Sequence, residues 1–234
     1  MKVNTLLKDA IELATCTINV AGYKVEVEQD GYAESPRSAY DNLGTMWCLH
    51  NRYNLGDHES LPRRDLIDEA GSLRDYIIKN CDPAVLLPVF LYDHSGLCMN
   101  VSGFSCPWDS GQVGYIFISK QDARREFGVK RLSAKIVKRV TQYLINEVET
   151  YSQYLSGECY SYTVTGPNGE EVGNTCGFYG MNHEESGLLE LVASDINAHI
   201  ASQRRSRLAL VKSLLKQRAP LSARQQRLDA FVCA

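Results

Sequence analysis

The chain has 234 residues, with 25 Lys+Arg against 28 Asp+Glu and a formal net charge of −3. Its 44% hydrophobic and 23% charged residues exclude collagen-like, coiled-coil and disordered classes and leave one large domain, or one domain with a small appendage. The near-neutral total also excludes a protein that coats nucleic acid with its whole surface.

In chain order, Leu6, Leu7, Ala10, Ile11 and Ala14 stand at helical spacing within residues 4–14. Tyr23 to Glu28 alternates apolar and charged residues with period two, which predicts a half-exposed strand. A turn-rich stretch over 29–44 leads into a buried strand at 45–50, and 51–59 is polar and loop-like. Leu66, Ile67, Ala70, Leu73 and Ile77 return to helical spacing over 61–79. Residues 85–92 are almost continuously apolar, and Pro88 among them suits an edge or the first residue of a strand. Asp93-His94-Ser95-Gly96 reads as a turn, with 97–101 as the returning arm of a hairpin. The clearest strand signal is Val113 to Ser119.

Two helices are expected next, at 121–127 and 133–155. The second has Ser133 as N-cap and a stripe of Ile136, Val140, Tyr143, Leu144, Val148 and Tyr151. Its basic residues come early and its acids late, against the helix dipole, so packing must supply its stability. Gly166-Pro167-Asn168-Gly169 between 159–165 and 171–178 signals a hairpin. Residues 188–215 are helical in pattern, Pro220 ends the run, and 222–232 reads as a short helix. Strands in adjacent hairpin-like pairs predict an α+β fold: a mainly antiparallel sheet with helices packed on one face and a basic C-terminal helical extension.

Charge is unevenly spread. Residues 1–190 hold 17 Lys+Arg and 26 Asp+Glu, a net of −9, whereas 191–234 hold 8 and 2, a net of +6. The chain therefore reads as an acidic α+β body, 1–190, and a basic helical extension, 191–234. On the extension, Arg204, Arg205, Arg207, Lys212, Lys216 and Arg218 suit contact with nucleic acid or an acidic partner. Leu208, Val211, Leu214 and Leu215 on its other side need burial in the body or a partner helix. The plain reading packs this helix on the acidic body; a homodimer through it competes evenly with nucleic acid.

The 8 cysteines include no CxxC pair and sit mostly in apolar runs, where Cys acts as a small hydrophobe rather than a zinc ligand. The first nine residues lack the apolar core of a signal peptide, and no run of ~18 apolar residues exists to span a bilayer. No membrane is expected, and the reducing cytoplasm of a cell is the expected compartment.

No P-loop, GxGxxG fingerprint or HExxH helix occurs, and no cofactor or metal is expected. Two loop-rich stretches, 35–57 and 92–115, concentrate the residue types of binding surfaces: His50, Arg52, Tyr53, Asp57, Asp93, His94, Trp108, Asp109 and Gln112. Cys106 as nucleophile, His94 as base and Asp93 or Asp109 as orienting acid would make a small hydrolase. Against this, Cys106 precedes a proline and no helix start activates it. His50, Asp57, His58, Asp93 and His94 carry metal-ligating atoms but fit no closed ligand spacing. Such residues more often brace irregular loops by hydrogen bonding. Arg37, Arg52, Arg63 and Arg64 with Tyr40, Trp47 and Tyr53 offer stacking and phosphate contacts, though in the acidic part of the chain.

Several of these runs resemble one pattern. Asp41-Asn42-Leu43-Gly44-Thr45-Met46, His50-x-Arg52-Tyr53-Asn54-Leu55-Gly56-Asp57, Leu87 to Gly96, Phe104 to Gly114, Glu147 to Tyr151 and Gly177-Phe178-Tyr179-Gly180 resemble an uncharacterised family of accessory proteins of bacteriophages and other mobile elements. The resemblance covers about Asp41 to Leu189 and stops before the basic extension. It implies a phage accessory protein rather than a virion part, and no enzyme chemistry. The expected function is non-catalytic binding and inhibition of a host defence complex, a CRISPR effector or a restriction enzyme, in the host cytoplasm. The alternatives are a small enzyme using Cys106, His94 and Asp109, and a nucleic-acid-binding protein acting through the C-terminal helix.

Overall fold

The structure, a computed structural model, describes residue 7, residues 14–216 and residues 225–226. The chain runs β1 (Cys16–Val20), β2 (Tyr23–Gln29), α1 (Pro36–Ala39), β3 (Thr45–Cys48), a 3-10 turn (His58–Ser60), α2 (Arg64–Ala70) and α3 (Leu73–Cys81). It continues through β4 (Pro83–Asp93), β5 (Leu97–Asn100), β6 (Ser110–Ser119), α4 (Lys120–Glu126), α5 (Ala134–Leu155), β7 (Cys159–Thr165), β8 (Glu171–Tyr179) and α6 (Leu188–Lys216). The class is α+β with antiparallel pairing throughout, but the strands form two four-stranded sheets, β1-β2-β7-β8 and β3-β6-β4-β5.

Each sheet belongs to its own compact unit. One is discontinuous, Met1–Ala33 with Cys159–Ala234; the other is the continuous stretch Glu34–Glu158. The 190/191 charge boundary falls in the first turn of α6. Counted by unit, the discontinuous one has 11 Lys+Arg and 12 Asp+Glu, net −1, and the continuous one 14 and 16, net −2. The acidic stretches and the basic helix thus belong to units that are each close to neutral.

In the discontinuous unit the period-two pattern sets the core. Tyr23, Val25 and Val27 of β2 and Tyr160, Tyr162 and Val164 of β7 are buried, with Val25 opposite Val164 and Val27 opposite Tyr162. Leu188, Leu189, Val192, Ala193 and Ile196 of α6 close over them, each such side chain contributing roughly 1.5–3 kcal/mol where fully buried. Past Ile200 every residue of α6 to Ala209 is exposed. The helix expected over 4–14 lies outside the described residues apart from Leu7 and Ala14, as does most of the 222–232 helix.

The continuous unit covers its sheet on both faces. Ile116 and Ile118 of β6 face Val140, Leu144 and Val148 of α5, and the intervening Phe117 faces Ile67, Leu73 and Ile77 of α2 and α3. Alternation puts successive side chains on opposite faces, so one strand serves two cores. Ser133 caps α5 as expected, accepting from the Ile136 N–H at 3.3 Å. The single helix expected over 61–79 is two, because Gly71 takes φ +95 and ends α2. Pro88 lies on an inner strand, yet β5 pairs only with Phe90–Asp93, so β4 has one neighbour at the proline.

Candidate functional site

At one end of the β3-β6-β4-β5 sheet, the β4–β5 turn and the flanking loops bring most of the expected binding residues together. Arg52 Nη1 lies 3.2 Å from Asp93 Oδ2, and Tyr53 OH donates to Asp93 Oδ1 at 3.5 Å. His50 stacks on Tyr53 with ring centres 5.1 Å apart, and the Arg52 guanidinium sits 5.2 Å over the same Tyr53 ring. The Asp93 N–H donates to the Asp109 carbonyl at 2.8 Å, which ties this group to a second one. There Asp109 Oδ2 is 3.5 Å from His94 Nδ1 and accepts from Cys106 Sγ at 3.5 Å.

That order decides the chemistry open to Cys106. The thiol hydrogen bonds to the Asp109 carboxylate, and the same oxygen faces the His94 imidazole. A nucleophile needs its base within hydrogen-bond reach, and here the group within reach is Asp109. Trp108, one residue before Asp109, is 91% exposed. Gln112 is exposed on β6, its Nε2 donating to the Gly114 carbonyl at 3.3 Å.

Asp57 belongs to a different structure. It receives Arg37 Nε at 2.9 Å and Nη2 at 2.7 Å, and the Met46 N–H at 2.8 Å. Arg37 Nη1 donates to Glu147 at 2.8 Å and to Asn42 at 3.0 Å, while Nη2 also reaches the Gly44 carbonyl. Glu147 in turn accepts the Leu43 N–H at 2.7 Å and the Gly44 N–H at 3.2 Å. With a side chain only 4% exposed, Arg37 has every one of its five donors engaged. Burial alone lowers its pKa, but the hydrogen bonds and charges of Asp57 and Glu147 outweigh that and raise it above the ordinary arginine value.

This triad closes the free edge of β3. The Asp57 N–H donates to the Met46 carbonyl at 2.7 Å, and Gly56 pairs with Trp47. Gly56 has φ +66, and a Cβ there would lie 2.5 Å from the Met46 carbonyl oxygen, so only glycine fits. The Gly56 N–H donates to Tyr151 OH of α5 at 3.0 Å. A cavity of about 720 Å³ opens beside Arg37, Asp57, His58, Tyr151 and Tyr154, but Arg37 has no donor left over for an occupant.

His58 therefore stands with Asp57, apart from His50, Asp93 and His94. Among the described residues no group of three or more His, Cys, Asp or Glu could hold a metal ion. In the sequence Arg37 reads as a residue for stacking and phosphate contacts, and nothing there points to Glu147 as its partner. The two lie 110 positions apart, and no local pattern joins them. The runs quoted for the resemblance nevertheless contain Asn42, Gly44, Met46, Gly56, Asp57, Glu147 and Tyr151, which converge here.

Of the basic residues of the extension, Arg204, Arg205, Arg207 and Lys212 lie on the exposed part of α6. Lys216 is the last residue of that helix, its side chain outside the described set, and Arg218 lies outside it altogether. Leu208 and Leu215 are exposed and Leu214 is buried. Cys16, Cys48, Cys81, Cys98, Cys106 and Cys176 are free thiols, and among the described residues no helix is long and apolar enough to cross a membrane. Comparison with family models, with curated proteins and with solved structures finds no match.

Proposed function

We propose that the chain is a non-catalytic accessory protein that acts by binding a protein partner through the loop end of the Glu34–Glu158 unit. Trp108 carries the reading: a large aromatic side chain, 91% exposed, on a loop tied to its neighbours by Asp109. Trp, Tyr and Arg supply most of the energy at protein interfaces, and Arg52 and Tyr53 stand in the same loop cluster. The stack of His50 on Tyr53 and the Arg52–Asp93 pair hold the surface in one arrangement before binding, which lowers the entropy lost on association. The engagement of Cys106 with Asp109 supports a binding role over a catalytic one. The resemblance to mobile-element accessory proteins favours a host defence complex as the partner, with inhibition as the consequence.

Affinity capture from host cells tests this with three proteins: wild type, Trp108→Ala and Cys106→Ser. Wild type and Cys106→Ser should recover the same defence component or nucleic-acid enzyme. Trp108→Ala should recover about tenfold less or lower, a hot-spot loss. Recovery of no such component, or equal recovery with Trp108→Ala, overturns the proposal. A loss of biological activity in Cys106→Ser alone would favour the enzyme reading.

A further inference from the structure

In the discontinuous unit, the turn between β7 and β8 and the exposed stretch of α6 enclose a cavity of about 300 Å³. Ile200, Gln203, Arg204 and Arg207 line it from one helix face, at spacings of three and four residues. Pro167, Asn168 and Tyr23 line the opposite wall. Among the described residues neither Arg204 nor Arg207 has an acidic partner. Glu170 lies behind the wall: its Oε2 accepts the Asn168 N–H at 3.0 Å, and its buried Oε1, without a hydrogen bond, is 3.5 Å from His199 Nε2. His199 joins the two walls, with Nδ1 at 3.1 Å from Tyr23 OH and Nε2 at 3.2 Å from Gln203 Nε2.

We infer that this cavity binds the phosphate of a nucleoside phosphate, held by the guanidiniums of Arg204 and Arg207. Guanidinium forks match phosphate oxygens in pairs. Asn168 and Gln203 offer side-chain amide donors beside them. Pro167, Ile200 and the Tyr23 ring offer the apolar surface a ring system needs, and the volume is at the lower end of small-molecule sites. The cavity beside Arg37 is larger, but every donor of its one arginine is already taken by Asp57, Glu147, Asn42 and the Gly44 carbonyl. Arg205 is next in sequence to Arg204 but does not line the cavity, which makes it an internal control. The inference is independent of the loop end of the other unit.

The same phosphate chemistry is presented by a free nucleotide and by the end of a nucleic-acid strand, and titration calorimetry separates them. The probes are AMP, inorganic phosphate and a 5′-phosphorylated oligothymidylate, each against the full chain. Saturable binding should weaken about tenfold for each arginine removed, in Arg204→Ala and Arg207→Ala, and remain in Arg205→Ala. AMP binding with that dependence identifies a free nucleotide. Binding of the oligonucleotide alone with the same dependence identifies a strand end. Arg204→Lys with Arg207→Lys, which keeps the charge and loses the fork, should bind more weakly than wild type and more strongly than the alanine pair. Binding of no probe, or equal weakening in Arg205→Ala, overturns the assignment.

Discussion

The Arg37 side chain is buried, and each of its N–H groups meets an acceptor. Arg204 and Arg207 stand exposed at a cavity mouth, and among the described residues neither meets a carboxylate. One chemical group therefore does two jobs in one chain, and the net charge of the surrounding sequence does not say which. Saturation does. A guanidinium with every donor used holds two loops and a helix of its unit in register, and one with its donors free has them to offer. By the same measure the loop end is intermediate, because Arg52 is paired with Asp93 yet largely exposed.

The comparison is sharpest in stability. Arg37→Met leaves Asp57 and Glu147 facing each other without their shared cation and should cost about 3–5 kcal/mol of unfolding free energy. Chemical denaturation would measure it, and a loss below about 1 kcal/mol would remove the triad as the brace of the unit.

A second effect comes from Cys48, buried near the triad. Burial, with a smaller contribution from the charge of Asp57 and against that of Arg37, pushes its thiol up to about 12 from an ordinary 9.0. Its folded pKa is raised, so its contribution to stability is whole below pH 9 and is lost as the pH climbs from 9 towards 12. Unfolding free energy should fall there by up to about 1.4 kcal/mol per pH unit on its account. Denaturation at several pH values on wild type and Cys48→Ala would show it. The variant should have a shallower alkaline slope, with the remainder coming from groups such as Tyr151, whose phenol burial also raises. Equal slopes would refute the thiol's part.

The smallest effects belong to the exposed cations. Arg52→Ala breaks a surface pair and should cost under about 1 kcal/mol. Arg204→Ala and Arg207→Ala should change stability by no more than about 0.5 kcal/mol. The same denaturation series reads all of them, and an exposed arginine that cost as much as Arg37 would dissolve the distinction.

What the sequence made legible follows from the range of the interactions. The alternation of Tyr23 to Glu28, the Ser133 cap and the hairpin at Gly166–Gly169 all act within a few residues and stand where the pattern put them, as do Val140, Leu144, Val148 and Tyr151 of the expected stripe, while its Tyr143 is exposed. β1 was missed because Cys16–Val20 is short and half-exposed, with little contrast along it. The second sheet was missed because strand partners such as β2 and β7 lie far apart in the chain, and local periodicity carries no pairing. The loop cluster was legible as composition: His50, Arg52, Tyr53, Asp93, His94, Cys106 and Asp109 gather at one end of a sheet. Asp57 looked like one of them and proved to belong to Arg37, since only the partner distinguishes a binding carboxylate from a bracing one.

The pairing of β2 with β7 also sets an order in time. These strands are hydrogen-bonded neighbours, and the Asp30 N–H reaches the Cys159 carbonyl at 2.8 Å, yet all of Glu34–Glu158 is threaded between them. On a ribosome, β1 and β2 emerge before the other strands of their sheet, and a hairpin by itself is marginal in water. The continuous unit then has everything it needs to close its core, while the discontinuous one must wait for β7, β8 and α6 to be made and pay the entropy of a long loop. The Glu34–Glu158 unit needs no strand made after it, whereas the sheet that flanks it in sequence does.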